Sequence, residues 1–403
     1  MYLHLKNLFR NTLSSYFILA FIAMTGLAYI NFLPGVVNAL VGNINYSNGE
    51  AGRIVSSNSY GGIVGTLLAI FLARYLTWRV AIFIFLTLLI LVDLGTSWIN
   101  GYPLMVGWRF IAGILGGICT GIAFSVLARL QNPDRAFGIL LFIQFFIGSL
   151  VISILPMIEK TTGSFTVFYI MASLSIVSIL LLPLAPKLTK VDSTPVLPPL
   201  AISFNKEALL ILLSMLLYQS AASAIYAYVG LIGLHANIDQ TQVNLYIAAT
   251  GLLGLLSALL PVFIGKRFGR TTPLLLGVIA SIVASICLAK ITNSVLFITA
   301  LTLLFFSWPA ILSYLFAVSA ELDKSGQLST IAAVVSSIGI ATGPMLASIL
   351  IDYRSFSIML YCCVVLFVFS GLFLYHPVKN RDRVSNTPFA KTTLHHLTSN
   401  QKG

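Results

Sequence analysis

Long apolar runs recur along the whole chain, and short polar connections separate them. A helix that crosses a bilayer needs about 20 consecutive apolar residues, whereas a transmembrane β-barrel shows shorter segments that alternate between apolar and polar residues. The pattern therefore predicts an all-α polytopic membrane protein with twelve transmembrane helices. The predicted spans are residues 16–39, 50–73, 80–99, 104–129, 137–157, 166–185, 208–233, 243–265, 273–290, 295–319, 328–351 and 356–376.

The main polar interruption lies between the sixth and seventh spans, at residues 186–207. It contains four prolines and several charged residues, so it cannot continue a helix across a bilayer and is typical of a linker. It divides the chain into an N-terminal six-helix bundle at 1–185 and a C-terminal six-helix bundle at 208–376. A basic tail follows at 377–403.

Composition and charge agree with this pattern. The chain has 403 residues, of which 58% are hydrophobic and 8% charged, whereas soluble domains are about a quarter charged. The formal charge of +12 could indicate nucleic-acid binding in a soluble protein. In a membrane protein, basic residues instead hold loops on the cytoplasmic side, so we expect no nucleic-acid partner. The first apolar run is too long for a signal peptide, and we expect a retained first span.

The positions of Lys and Arg also orient the predicted helices. With the N-terminus in the cytoplasm, 18 of the 23 basic residues fall on the cytoplasmic side, four on the outer side, and Arg109 inside a span. An extra or missing span would scramble this division. We therefore expect cytoplasmic N- and C-termini, a cytoplasmic linker and a multi-pass protein of the plasma membrane, specifically a bacterial inner membrane.

Several kinds of chemistry are not expected. The five histidines lie at span ends or in tails, and acids at membrane depth are nearly absent, which argues against an intramembrane enzyme. No phosphate-binding loop for ATP is present. We expect no cofactor and no metal site, because the four cysteines lack metal-ligand spacing and lie within apolar runs. They are Cys119, Cys287, Cys362 and Cys363.

The two halves of the chain resemble each other at an offset of 192 residues. The segment 47–50 aligns with 239–242, and each reads as a helix-capping box, with an N-cap oxygen and Glu or Gln three residues later. Arg74 aligns with Lys266 at the far end of the same two helices. The alignment predicts two pseudo-symmetric bundles, with a substrate site near the midplane where they meet.

Two loops carry a more specific resemblance. The segment GKRFGR, between spans 8 and 9, resembles the loop motif G-x-x-x-D-R-x-G-R-R of the major facilitator superfamily at Arg267, Gly269 and Arg270. The segment ARYLTWR, between spans 2 and 3, keeps little of that motif beyond Arg79. The resemblance to this family of secondary transporters covers about residues 10 to 378 and implies its twelve-helix fold.

The acidic position of the loop motif departs from the family in both copies, where Arg74 and Lys266 stand. In the family this acid helps to latch one conformation through a charge network. We therefore expect any inner latch to use acids elsewhere, such as Asp134, Glu321 or Asp323.

Two further segments resemble family motifs within helices. RFIAGILGG on span 4 matches an arginine followed by spaced glycines, and the resemblance implies that Arg109 lies in the cavity. GIATGPMLAS on span 11 resembles the Gly-Pro motif that exporters of the family carry on span 5. The small residues and proline of these motifs, which we expect at helix contacts, are Gly113, Gly117, Gly339, Gly343 and Pro344.

Asp93 on span 3 and Arg109 on span 4 are the clearest charges at membrane depth. A charge there costs about 2.5 kcal/mol or more. Each residue lies eight positions from Gly101, about 12 Å from the turn, so equal depth permits an ion pair. Either Arg109 binds an anionic substrate group or tunes a titrating Asp93, or the pair only fastens two helices.

Neutral polar residues form the next tier of candidates, because the resemblance implies which spans line the cavity. The alternative for each is a hydrogen bond between helices or an interfacial aromatic ring. An aromatic, amide-rich cavity favours a modest-sized, partly apolar organic molecule. The candidates are Asn31, Gln144, Gln219, Tyr226 and Tyr314.

The resemblance implies secondary active transport of a small organic molecule by alternating access, with H+ as the coupling ion. The expected partners are this substrate and the lipid bilayer, and we expect a monomer. A drug or metabolite exporter of the same superfamily is one alternative. A transport-inactive receptor or scaffold is another, because both loop copies lack the acid.

Overall fold

A computed structural model describes residues 13–130, 132–185, 206–258, 269–323, 327–353 and 355–385. These residues form fourteen α-helices. Short 3-10 turns at Thr96–Trp98 and Leu182–Leu184 extend α5 and α8. The helices are α1 (Leu13–Gly26), α2 (Ala28–Asn31), α3 (Leu33–Asn38), α4 (Asn48–Tyr75), α5 (Trp78–Gly95), α6 (Tyr102–Leu127), α7 (Pro133–Thr162), α8 (Thr166–Leu181), α9 (Lys206–His235), α10 (Gln240–Ala258), α11 (Thr271–Ala289), α12 (Ser294–Leu322), α13 (Gln327–Tyr353) and α14 (Phe356–Ser385).

Within the described ranges, ten helices are long and apolar enough to cross a bilayer. They are α4–α9 and α11–α14, so the prediction of an all-helical, multi-pass membrane protein is confirmed. The predicted span at 243–265 is described as far as Ala258, where α10 ends. The predicted span at 16–39 is divided among three shorter helices.

The span predicted at 16–39 is not one uninterrupted helix in the structure. Single turn residues separate the three helices: Leu27, with φ −94° and ψ 0°, and Phe32, with φ −103° and ψ 16°. Pro34 lies in the first turn of α3. Proline has no backbone N–H and its ring crowds the carbonyl group four residues earlier, so a continuous helix through Phe32 would lose a hydrogen bond there. A π-helical turn at Ala39–Asn43 then follows α3.

The last helix is longer than predicted, because α14 continues from the predicted end at residue 376 to Ser385. Polar contacts with the other C-terminal helices hold this extension. Asn380 Nδ2 donates to Glu207 Oε1 at 3.0 Å. Asp382 accepts hydrogen bonds from two backbone N–H groups at the start of α11. The first residues of the predicted tail are therefore part of the folded helix.

The capping boxes predicted at the two aligned helix starts differ in detail. Ser47 Oγ accepts from the backbone N–H of Glu50 at 3.1 Å, and Glu50 Oε2 accepts from the backbone N–H of Ser47 at 2.9 Å. This first box is confirmed. At the start of α10, Asp239 Oδ2 accepts from the backbone N–H of Thr241 at 2.9 Å.

Glycines let α4 and α6 pack with their backbones in contact. A Cβ atom at Gly113 would lie closer than 3.0 Å to the backbone oxygen of Asn58, and one at Gly117 equally close to that of Gly62. Small residues at helix interfaces permit this approach inside a membrane, where close packing replaces the hydrophobic drive. The glycines on α6 therefore allow the short distance between the backbones of α6 and α4.

The contact between α9 and α13 is built in the same way. A Cβ atom at Gly339 would meet the side chain of Gln219, and one at Gly343 would meet the backbone oxygen of Ser220, both closer than 3.0 Å. Pro344 follows inside α13, and its backbone oxygen would lie 2.7 Å from a Cβ atom at Gly52. One face of α13 thus contacts α9 and another contacts α4.

The most extensive described contacts between the N-terminal helices, α1–α8, and the C-terminal helices, α9–α14, involve three helix pairs. They are α4 with α13, α7 with α10, and α3 with α9. Arg53 Nη1 pairs with Asp352 Oδ2 at 3.0 Å, and Tyr228 donates to the backbone oxygen of Asn48 at 2.7 Å. We call the end of the bundle with these four residues the closed end. The opposite end, where α1 begins and α14 finishes, is the terminus end.

A methyl group at Gly117 tests the close packing of α4 against α6. We expect Gly117→Ala to lower the free energy of unfolding by about 1–3 kcal/mol, because the added group overlaps backbone atoms that cannot rotate away. Gly107→Ala is the matched control on the same helix, since its methyl group would meet nothing within 4 Å. Unfolding in detergent measures both variants, and equal stabilities would contradict this account of the interface.

Candidate substrate site

A cavity of about 1030 Å³ lies between the N-terminal helices and α13. Residues of α4, α6 and the α1–α2 segment form most of its wall. Its lining reaches Arg129 and Thr330 at the terminus end. Asp93 and Arg109 lie at its inner end. The cavity therefore gives a route from the terminus end to the two charges that were predicted at membrane depth.

Asp93 and Arg109 form an ion pair between α5 and α6. Arg109 Nη2 donates to Asp93 Oδ1 at 2.7 Å, and the exposed fractions of the Arg109 and Asp93 side chains are 0% and 4%. The structure thus joins the two residues whose equal distance from the turn at Gly101 permitted a pair. Asn58 of α4 donates to the backbone oxygen of Arg109 at 2.9 Å and fixes the same part of α6.

The pair leaves part of the guanidinium group unused. Arg109 Nε and Nη1 have no hydrogen-bond partner among the described residues. The guanidinium lies over the rings of Tyr29 and Phe168, at 5.5 and 4.9 Å from their centres, which favours a cation electrostatically. The hydroxyl groups of Tyr29 and Ser175, two further residues of the cavity wall, likewise lack a partner in the described ranges.

These unpaired groups define what the inner end of the cavity can bind. A buried polar group without a hydrogen bond costs about 1–3 kcal/mol, so it favours any ligand that pairs with it. Arg109 offers only donors, whereas the hydroxyls of Tyr29 and Ser175 can donate or accept. The site therefore suits a molecule with an acceptor for Arg109 and hydroxyl or carbonyl groups nearby.

Sequence reasoning identified the charged pair but missed its surroundings. Phe168 and Ser175 lie on α8, where they stand inside an apolar run with no local signal that sets them apart. Tyr29 was visible as a polar residue of the first span. The turn residue between α1 and α2, two positions before Tyr29, has no comparable signal in the sequence.

Three of the neutral candidates belong to one connected group outside the wall of this cavity. Tyr226 donates to the backbone oxygen of Asn31 at 2.8 Å, across the contact between N- and C-terminal helices. Its ring lies edge-on to Trp308 with 5.7 Å between ring centres. Gln219 accepts from Trp308 Nε1 and donates to Ser336, both at 2.6 Å. A polar and aromatic chain thus runs from α2 through α9 and α12 to α13.

The other two neutral candidates are placed elsewhere. Gln144 is half-buried on α7 and is not part of the cavity wall. Tyr314 is 3% exposed on α12, and its hydroxyl group has no partner within the described part of the chain. Neither residue lines the cavity that contains Arg109.

The described residues of the second loop motif make their contacts within the C-terminal helices. Gly269 adopts a left-handed φ of 69° before α11, a conformation that favours glycine. Arg270 binds Glu321 of α12 through two hydrogen bonds of 2.7 Å. Asp323 accepts from the backbone N–H of Leu328 at 2.9 Å. These contacts of Glu321 and Asp323 join C-terminal helices to one another, so in this conformation neither contact latches the two sets of helices.

In the first copy of the loop, Arg79 donates to the backbone oxygen of Ala185 and lies over the ring of Trp78. This contact ties the start of α5 to the end of α8. The remaining predicted residues of the loops lie outside the described residues, or have undescribed side chains. They are Arg74, Asp134, Lys266 and Arg267.

Breaking the buried pair tests whether its two charges depend on each other. We expect Asp93→Asn or Arg109→Gln alone to cost about 3–5 kcal/mol of stability, because each leaves one charge buried without its partner. The double variant removes both charges, keeps two amides of similar shape, and should recover most of that loss. Unfolding in detergent measures the cycle, and additive single effects would show that the two residues are energetically independent.

Solved structures with the same fold support this architecture. A crystal structure of a mutant of the nucleoside transporter NupG superposes with a TM-score of 0.74 at 14% sequence identity, over 90% of this chain and 98% of that one. A D-xylose–proton symporter gives 0.69 at 17% identity, over 91% and 98% of the two chains. The inward-open xylose transporter XylE from E. coli gives 0.70 at 16% identity, over 91% and 96%. At these identities the likeness concerns the fold.

The sequence itself matches a family. No curated protein matches the chain by sequence. The family model of the Major Facilitator Superfamily matches residues 16–319 and 210–401, which together include most of the chain and every described helix except the first three residues of α1. The protein belongs to the Major Facilitator Superfamily and is a multi-pass membrane transporter, not an enzyme.

Proposed function

We propose that the protein is a secondary active transporter, a monomer in the plasma membrane, that moves a small organic molecule by alternating access coupled to protons. The buried Arg109–Asp93 pair carries this proposal, because it lies at the inner end of a cavity and leaves donors of Arg109 without a partner among the described residues. A pair that served only to fasten two helices would be expected to use those donors within the protein.

The proposal includes twelve spans with cytoplasmic termini. The broken segment α1–α3 is the first span, and α10 belongs to the eighth, predicted at 243–265. The division of basic residues supports this orientation. In this orientation the terminus end of the bundle faces the cytoplasm and the closed end faces outward.

Recurring helix contacts support two pseudo-symmetric bundles, at 1–185 and 208–376. Among the N-terminal helices, α1 packs on α7 and α8, α4 packs on α6, and α5 packs on α6 and α8. At the matching places in the C-terminal set, α9 packs on α13 and α14, α10 packs on α12, and α11 packs on α12 and α14. Each bundle thus repeats one scheme of neighbours, as expected for a rocking pair.

The conformation supports one half of an alternating-access cycle. Contacts across the two bundles join them at the closed end, while the cavity reaches the opposite end. With cytoplasmic termini this is an inward-open state. The outward-open state requires the Arg53–Asp352 pair and the bond from Tyr228 to Asn48 to break.

Asp93 and Arg109 supply a route to proton coupling. An acceptor group of the substrate that binds the free donors of Arg109 competes with the carboxylate of Asp93 for the same cation. Protonation of Asp93 removes that competition, because a neutral carboxyl group holds the guanidinium less strongly. The structural neighbours named as a nucleoside transporter and a D-xylose–proton symporter support a small polar substrate and H+ as the coupling ion.

Purified protein in liposomes tests this function. We expect at least one of a panel of labelled sugars, nucleosides and organic acids to accumulate above equilibrium when a pH gradient is imposed. Arg109→Ala should reduce its uptake by about tenfold to a hundredfold, the effect of losing a hydrogen bond to a charged group. Lys290→Gln, which removes an exposed charge after α11, should transport as the unaltered protein does.

Two outcomes would contradict the proposal. Full uptake by Arg109→Ala at equal expression would exclude a substrate-binding role for this residue. No accumulation of any compound under either direction of the gradient would instead favour a transport-inactive receptor. Because Arg109→Ala leaves Asp93 unpaired, the neutral double variant Asp93→Asn/Arg109→Gln provides a folded protein that lacks the charged pair and should also lose coupling to the gradient.

A further inference from the structure

A second set of unpaired polar groups lies at the contact between α3 and α9. Asn38 is the last residue of α3, and Gly230 of α9 lies directly against its side chain. A Cβ atom at Gly230 would lie closer than 3.0 Å to the carboxamide carbon, oxygen and nitrogen of Asn38. Only glycine leaves room for the amide in this conformation, so α9 packs its backbone against a polar group.

The amide of Asn38 gains no hydrogen bond from this close contact. Within the described residues, neither Nδ2 nor Oδ1 of Asn38 has a partner, and Nδ2 of Asn31 has none either. Both side chains are nearly dry, because each residue is 7% exposed. Buried carboxamide groups are normally paired, and two such groups on one short segment indicate that they have partners in another state of the molecule.

The position of these asparagines shows what that other state is. Tyr226, one helical turn before Gly230 on α9, donates to the backbone oxygen of Asn31. Asn31 and Asn38 therefore both lie along the contact that joins the N-terminal helices to α9. The α3–α9 contact is one of the three most extensive described contacts between the two sets of helices, and the closed end cannot open while it stays closed.

We propose that Asn31 and Asn38 form a hydrogen-bonding subsite for an uncharged hydroxyl or amide group of the transported molecule, and that the subsite is exposed when α3 and α9 separate. The inference rests on the proposed function, because it requires the closed end to open during transport. Asn31 and Asn38 would contact the substrate in the outward-open state, whereas Arg109 would contact it in the inward-open state.

The chemistry of the subsite selects the ligand group. A carboxamide offers two donors and an acceptor and carries no net charge. A hydroxyl or amide group can accept from the nitrogen and donate to the oxygen at once, whereas a carboxylate can only accept. Arg109, which can only donate, lies at the inner end of the cavity between the N-terminal helices and α13. The two sites together favour a molecule rich in hydroxyl groups, such as a sugar or nucleoside.

Cysteine labelling tests exposure without knowledge of the substrate. Asn38→Cys is made in a protein whose four native cysteines are replaced by alanine, and is treated with a membrane-impermeant maleimide from the outer side. Asp352→Asn removes one partner of the closed-end ion pair. We expect it to speed labelling about fivefold, the shift that about 1 kcal/mol produces.

The control for this labelling is Ala23→Cys, at a position fully buried within the N-terminal helices, which should stay unlabelled in both backgrounds. Equal labelling of the Asn38→Cys variant with and without Asp352→Asn would overturn the proposal.

Uridine and D-xylose test the ligand chemistry. In the Asp352→Asn background, at least one of them should slow the labelling of the Asn31→Cys variant, in which Asn38 remains intact to bind it. Benzoate, which offers only a carboxylate to these amides, should not slow it. Protection by neither uridine nor D-xylose would overturn the subsite, even if another compound accumulates in liposomes.

Asn38→Leu separates a binding role from a structural one. Leucine replaces the unpaired amide with an apolar group of similar size, so we expect a higher midpoint of thermal unfolding together with uptake reduced about tenfold, as for the loss of about 1.4 kcal/mol of binding. Asn38→Ser keeps a hydrogen-bonding group without adding volume beside Gly230 and should retain more uptake than Asn38→Leu. A leucine variant that is less stable, or that transports as the unaltered protein does, would contradict the proposal.

If the unaltered protein transports nothing, the proposed function fails, while the labelling rates still decide whether the α3–α9 contact opens.

Discussion

A buried guanidinium group that is only partly paired is the constraint on which the N-terminal helices depend. Arg109 is fully buried, and its carboxylate partner comes from the neighbouring helix. A charge at this depth is too costly to leave without a partner, so the register of α5 against α6 is set by the pair. The glycines of α6 then let α4 approach closely enough for Asn58 to bind the backbone beside Arg109.

The second constraint is the balance at the closed end. The polar contacts described at this end are a partly exposed ion pair and a hydrogen bond, each of modest strength. Closure is opposed by Nδ2 of Asn31 and by both polar atoms of the Asn38 amide, because they are buried without partners in the described ranges. The alternating access proposed above requires states of nearly equal free energy, and weak bonds set against unpaired amides are a physical way to obtain them.

Much of the candidate site was accessible from sequence because it depends on local geometry. Asp93 and Arg109 lie at equal distance from one turn, and helical rise alone places them at the same depth. The glycines of α6 and α13 follow a spacing that favours helix contact. Asn31, Gln219 and Tyr226 were expected in one cavity; they are instead linked through hydrogen bonds and ring contacts across helices. Gln144 and Tyr314 stand apart, since helix rotation decides which face of an apolar helix points inward.

The sequence by itself determined the all-helical membrane class, because long apolar runs can satisfy their backbone in hydrocarbon only as helices. It also determined the depth of the charged pair and the first capping box. Tertiary structure alone decided the helical extension of α14 and the positions of Tyr29, Phe168 and Ser175 around Arg109. It also decided which amides of α2 and α3 face α9. These features arise from contacts between residues far apart in the chain, and apolar periodicity carries no record of which distant helix a given face will meet.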